Sequence, residues 1–69
     1  MNDQVFKQIV ITGTSSTSIE DAVNTALARA GKTVRQMRWF EVVEVRGVVE
    51  EDHTSQWQVT IKIGFKLED

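Results

Sequence analysis

The segment Gln56-Trp57-Gln58-Val59-Thr60-Ile61-Lys62-Ile63-Gly64-Phe65-Lys66-Leu67 decides the fold. Apolar and polar residues alternate through it without a break, which is the period of a β-strand with one buried face. The apolar side carries Trp57, Val59, Ile61, Ile63, Phe65 and Leu67, and the other side carries Gln56, Gln58, Thr60, Lys62, Gly64 and Lys66. The sequence therefore predicts a strand over residues 56–67 that lays one face on an apolar core.

The preceding segment, Arg38–Glu50, predicts a long strand whose two faces are both apolar in part. Strict alternation puts Trp39 and Val45 on one face and Phe40 and Val42 on the other. In so small a chain, the second face must be covered by another subunit or by a ligand. Residues 50–55 are polar and predict the tip that joins the two strands in a hairpin.

Upstream lie a shorter strand, Val5–Thr12, and one helix. Residues 13–16 are expected to break the strand. Two capping registrations, Thr17 with Glu20 and Ser18 with Asp21, are equally good starts for the helix. Gly31 ends the helix or lies in its last turn. Helical spacing then relates Ile19, Ala22, Val23, Ala26, Leu27 and Ala30. The predicted class is α+β: one domain over residues 1–69, in β-α-β-β order, with a three-stranded antiparallel sheet wrapped around one helix.

Composition excludes several classes of protein and of site. There is no Cys among the 69 residues and His53 is the one His, so disulfides and Cys-type or His-rich metal clusters are excluded. A net charge of −2 argues against a general nucleic-acid binder. No signal peptide or membrane span is evident, so we expect a cytoplasmic protein. Because a domain of this size is marginal alone, oligomerisation is the expected source of further stability.

The sequence offers little for catalysis. The loop at Gly13 lacks the second Gly and the Lys of a phosphate-binding loop, and His53 lies in an acidic tip. Glu41 and Glu44 have opposite parity and are expected on opposite faces of their strand, which makes them poor partners in acid–base chemistry. The basic residues Lys32, Arg35 and Arg38 either compensate the helix dipole and pair between subunits or contact a phosphate.

Trp39 is the most informative single residue. If Phe40 enters the helix-covered core, Trp39 points to the open side of the sheet, where an indole either fills a subunit interface or stacks on a planar ligand. The last strand carries Gln58 on its polar side; if that is the same open side, the Gln58 amide lies near the indole. This amide has both a donor and acceptors, which suits an imide-like ring edge such as that of a flavin or a nucleobase.

At this point the chain resembles the dodecin family over nearly its whole length. The matching pieces are Val5-Phe6-Lys7, Ile11-Thr12-Gly13-Thr14-Ser15, Ala28-Arg29-Ala30, Trp39-Phe40-Glu41-Val42, Glu44-Val45-Arg46-Gly47, Trp57-Gln58-Val59 and Ile63-Gly64-Phe65-Lys66-Leu67. The resemblance implies a hollow homo-dodecamer of four trimers, or six dimers, that stores flavin without turnover.

The resemblance also implies roles for individual residues. Two flavins would stack between a pair of symmetry-related Trp39 side chains, with Gln58 on the isoalloxazine edge. Arg46 matches a phosphate-facing arginine, which implies FMN rather than riboflavin, and Phe6 and Lys7 are counted with the cofactor-binding residues. Coenzyme A is a further implied ligand, and its candidate residues are Arg29, Lys32 and Lys66. Lys66 stands where the family often has arginine, and this change weakens bidentate phosphate binding.

Two other interpretations compete with flavin storage. In the first, the chain is a ligand-free structural oligomer, and Trp39 is an anchor in the interface between subunits. In the second, it is a flavin-dependent enzyme; against this, no acid–base group is placed beside the ring, and a sandwiched flavin pair leaves no face for a substrate.

Overall fold

Three antiparallel strands and one helix make up the part of the chain that the computed structural model describes, residues 3–68. Strand β1 spans Phe6–Ser15, helix α1 spans Ile19–Ala30, and strands β2 and β3 span Met37–Glu50 and His53–Lys66. They form one sheet in the order β1-β3-β2, with both pairings antiparallel. The predicted β-α-β-β fold of class α+β is confirmed.

β3 is the central strand, and this position explains its unbroken alternation. With a neighbour on each edge and α1 over one side, its apolar face forms the floor of the core. The helix supplies small side chains, so its axis can approach the sheet closely. The core consists of Val59, Ile61 and Ile63 from β3 and of Ala22, Val23, Ala26 and Ala30 from α1.

β1 continues through Gly13 to Ser15, so the expected break at residues 13–16 is wrong for the first three of them. Gly13 pairs with Val59 inside the strand. A Cβ at Gly13 would overlap the carbonyl oxygen of Ala22 and lie 2.8 Å from the Cβ of Ala26. The glycine is therefore there for the close approach of the helix and not for a turn.

Ser15 and Ser18 build the link from β1 to α1. Ser18 is the N-cap residue, and its hydroxyl accepts from the backbone N–H of Asp21 at 2.9 Å, so the second of the two predicted registrations is the one used. The buried hydroxyl of Ser15 donates to Asp21 Oδ2 at 2.7 Å and accepts from the N–H of Thr17 at 2.9 Å. At the other end, Gly31 is the C-cap residue and ends the helix.

The β2–β3 hairpin closes through a two-residue turn, Glu51-Asp52. Both turn residues have positive φ, 49° and 65°. β3 starts at His53, so most of the predicted polar tip belongs to the strands and only its middle is a turn. The long hairpin helps to give the described chain a longest dimension of 57 Å.

The helix packs on β1 and β3 and leaves the helix side of β2 uncovered. Phe40 lies across from Ile63 on this side, but the residue is 45% exposed and borders a small cleft with Leu27 and Met37. Val42 and Val45 on the same side are also exposed. Within residues 3–68, no helix combines the length and the apolar character that crossing a membrane requires.

Candidate functional site

The sheet side opposite α1 carries most of the predicted binding residues; we call it the open face. Residues directly opposite in an antiparallel ladder point to the same side, so the strand register defines this face. Its members are Phe6, Gln8, Val10, Thr12 and Thr14 from β1, Gln56, Gln58, Thr60, Lys62, Gly64 and Lys66 from β3, and Trp39, Glu41, Glu44, Arg46 and Val48 from β2.

A β-bulge in β2 places Arg46 on the same face as Trp39. These residues have opposite parity, so a regular strand would point them to opposite sides. The register shifts between Val42 and Glu44, where the extra residue of the bulge is accommodated, and Arg46 then lies across from Gln58. The same shift puts Glu44 on the open face with Glu41. The prediction that the two glutamates face opposite ways is therefore wrong.

The bulge was missed by sequence reasoning, although a signal for it is present. The neighbouring valines Val42 and Val43 interrupt an otherwise amphipathic pattern. Skipping Val43 restores the alternation, because one side then holds only apolar residues and glycine. The polar positions Glu41, Glu44 and Arg46 then share the other side.

Trp39 forms an aromatic platform on the open face. Its indole lies face-on to Gly64, where a Cβ would overlap the ring. Phe6 packs edge-on against the indole, with a centroid separation of 5.1 Å and an interplanar angle of 60°. Trp39 as a whole residue is 41% exposed. One ring face is thus fixed by the sheet and by Phe6, and the outer face is available for stacking.

A chain of hydrogen bonds crosses the other end of the open face. Arg46 donates from Nε to Gln58 Oε1 at 2.6 Å and from Nη1 to Glu44 Oε1 at 3.0 Å. Gln58 in turn donates from Nε2 to Gln56 Oε1 at 2.9 Å. The Glu44 and Arg46 side chains are each 56% exposed. The hydrogen bonds fix the positions of the Arg46 guanidinium and the Gln58 amide on the open face.

Trp39 and Gln58 share the open face but lie far apart within one chain. The indole covers Gly64, which is six positions along β3 from Gln58; at about 3.3 Å per residue, this is roughly 20 Å. The prediction that the amide lies near the indole is therefore wrong for a single subunit. Within one chain, a planar group stacked on Trp39 would lie at the opposite end of the open face from Arg46 and Gln58.

The remaining candidates divide between the two sides of the sheet. Lys66 lies on the open face across from Phe6, whereas Lys7 lies across from Phe65 on the helix side. Arg29 and Lys32 line a cleft of about 540 Å³ between β1 and the C-terminal half of α1. One chain thus brings together Trp39 and Phe6, with Lys66 near them, but not the three basic residues predicted for coenzyme A.

Comparison with known proteins agrees with the topology and with the resemblance. The sequence model of the Dodecin family matches residues 5–68. This chain belongs to the dodecin family. The dodecin of Thermus thermophilus is 44% identical over 66 residues, which cover 96% of each chain.

Solved structures extend this agreement to the fold. A crystal structure of a Thermus thermophilus protein matches with a TM-score of 0.93 at 43% identity, covering 97% of this chain and 98% of the other. The dodecin of Streptomyces coelicolor matches with a TM-score of 0.94 at 39% identity, covering 100% and 99%. The similarity therefore spans the whole dodecin fold, the open face included.

Proposed function

We propose that this dodecin binds and stores flavin, with FMN as its principal ligand and without turnover. The observation that carries the proposal is the platform at Trp39, whose inner ring face rests on Gly64 while the outer face is exposed. Stacking on such a ring contributes about 0.5–1.5 kcal/mol beyond area burial. A stacked indole can also quench the excited flavin by electron transfer, so storage would limit flavin photochemistry in the cytoplasm.

The proposed site is shared between copies of the chain. A separation of roughly 20 Å between the indole and Gln58 is longer than the three fused rings of a flavin. A flavin on Trp39 of one subunit would thus receive Gln58 from another, with Arg46 available to the FMN phosphate. Arginine suits this role because its planar guanidinium binds phosphate oxygens in pairs.

We propose a hollow homo-dodecamer as the assembly, the number coming from family membership. The exposed apolar side chains on the helix side of β2, among them Phe40, Val42 and Val45, support subunit contacts there. Coenzyme A is proposed as a second ligand. Arg29 and Lys32 border one cleft, and Lys66 would have to come from a neighbouring copy.

The alternative is a ligand-free structural homo-oligomer in which Trp39 is buried by subunit contacts. Its indole belongs to a strand with several exposed apolar side chains, and this favours an interface as much as a ligand. The two functions differ in what removal of the indole does. Loss of flavin binding with retention of the oligomer supports storage, and dissociation of the oligomer supports the structural interpretation.

The test is a titration of FMN with the purified protein, followed by flavin fluorescence. We expect strong quenching that saturates near one flavin per subunit. Trp39→Ala should abolish most of the quenching while sedimentation shows an intact oligomer. Trp57→Phe is the matched control, because Trp57 lies on the helix side of β3 across from Gly47. Unchanged FMN fluorescence at micromolar wild-type protein would overturn the proposal.

Mixing two variants tests whether the site is shared. Trp39→Ala and Gln58→Ala homo-oligomers would each bind FMN weakly. After joint unfolding and refolding, mixed oligomers contain some sites with both wild-type residues. Recovery of part of the quenching supports a shared site, whereas no recovery places both residues in the same subunit's site.

A further inference from the structure

The carboxylate of Glu44 already binds the guanidinium of Arg46, which is the group that a phosphate would bind. The carboxylate accepts from Arg46 Nη1 at 3.0 Å, and both side chains are more than half exposed. The Nε–H of Arg46 donates to Gln58 Oε1. An anionic group arriving at this end of the open face therefore meets an arginine that already has an anionic partner.

From this contact we infer that Glu44 is a specificity-determining residue that sets the preference between phosphorylated and unphosphorylated ligands. The inference rests on the proposed function, because it concerns the ligand class of the same site. A phosphate must displace the carboxylate from Arg46 and then remain close to it, and like charges at short range repel. An uncharged ligand can leave the pair intact and so avoids this penalty.

The contact between Glu44 and Arg46 also keeps the site ordered when the ligand has no phosphate. With Glu44 on Nη1 and Gln58 on Nε, the guanidinium has anchors on two of its nitrogens. Gln58 is held by Arg46 at its oxygen and by Gln56 at its nitrogen. Removing only the charge of Glu44, with its shape and acceptor oxygen retained, should leave this chain of hydrogen bonds in place.

The test compares FMN and riboflavin, two ligands that differ by the phosphate, on three proteins. These are the wild type, Glu44→Gln and Glu41→Gln. Glu41→Gln is the control, because it removes one negative charge from the same face of the same strand. Glu41 lies across from Lys62, whereas Glu44 lies across from Thr60 and so nearer to the Arg46–Gln58 pair. The control therefore measures the effect of removing a charge from the open face without removing the contact to Arg46.

We expect Glu44→Gln to raise the ratio of FMN affinity to riboflavin affinity by roughly two- to fivefold, the size that an exposed ion pair supports. Riboflavin affinity should change less than FMN affinity, whereas a structural defect would lower both. The increase should shrink in high salt because exposed charges are screened. An unchanged ratio overturns the inference, and so does an equal increase in Glu41→Gln.

A second arm separates this inference from the proposed function. Inorganic phosphate is titrated against each protein while the Nε–Hε resonance of Arg46 is followed by NMR. Glu44→Gln should lower the phosphate concentration at half-maximal shift, and Glu41→Gln should lower it less. If the wild type binds neither flavin, the proposed function fails and this arm alone decides the inference. Equal midpoints in all three proteins overturn it.

Discussion

The indole of Trp39 lies face-on against the backbone at Gly64, its cross-strand neighbour, so closely that a single added Cβ would overlap the ring. The exposed aromatic face depends on this contact, because the sheet sets the height and tilt of the ring. Gly64 has no positive φ, so its role is to provide space and not backbone freedom. Any side chain there must lift the indole from the sheet.

We predict that Gly64→Ala lowers FMN affinity by roughly two- to tenfold, the range given by loss of the stacking contribution. The displaced indole should also show a red-shifted fluorescence emission, because more of its surface meets water. Both quantities are measured on the same preparation, by titration and by emission spectra.

Gly47→Ala is the control for this prediction. A Cβ at Gly47 meets its nearest neighbour, the methyl group of Thr54, at 3.5 Å, which is ordinary contact. We expect its FMN affinity and emission spectrum to match those of the wild type. If the FMN affinity and the emission spectrum of Gly64→Ala also match those of the wild type, the contact between Gly64 and Trp39 does not hold the indole in its binding position.

Gly13→Ala should destabilise the fold by about 3 kcal/mol. The new methyl group would collide with a backbone carbonyl at Ala22 and with the Cβ of Ala26, and neither can rotate away. Urea unfolding at fixed protein concentration measures the change, since the stability of an oligomer depends on concentration. A midpoint equal to that of Gly47→Ala would show that α1 can shift away from β1 at no cost.

The fold could be predicted because the period of β3 and the helical spacing in α1 are both regular. A central strand covered on one side keeps strict alternation, and residues 56–67 do so. The predicted end of β1 was wrong because glycine, judged from its local sequence alone, indicates a turn at Gly13. A glycine is needed there because Ala22 and Ala26 of the helix approach the strand closely, and no local sequence pattern predicts this tertiary contact.

Part of the open face could be predicted from the sequence, but the distances across it could not. Trp39 and Gln58 were correctly assigned to one face, but their distance follows from the register between β2 and β3, which the sequence does not state. Arg46 reaches that face only through the bulge after Val42. The phosphate-facing role expected of Arg46 comes from the family resemblance, and strict alternation along β2 would have placed Arg46 on the helix side.

Ser15→Ala should cost about 1–3 kcal/mol of unfolding free energy. Ser15 is 7% exposed, and its hydroxyl donates to the carboxylate of Asp21 and accepts from the N–H of Thr17. Removing it leaves partly buried polar groups without a partner, which is the costly case. Ser16→Ala is the control, because Ser16 is exposed on the same connection. Equal urea midpoints for the two variants would contradict the prediction.

The turn of the hairpin offers a stabilising change. Glu51 and Asp52 both have positive φ, as the central residues of a type I′ turn do, and neither Glu nor Asp suits that region as well as Asn and Gly. We predict that the double variant Glu51→Asn with Asp52→Gly gains about 1 kcal/mol of unfolding free energy, because it relieves strain at both positions.

Asp52→Val is the opposite control, since a β-branched residue at positive φ is strained. The urea midpoint should rise for the first variant and fall for the second, while FMN affinity stays constant because the turn lies beyond the platform and the polar chain. A double variant less stable than the wild type would mean that the acidic side chains make contacts in the assembly that outweigh the backbone strain.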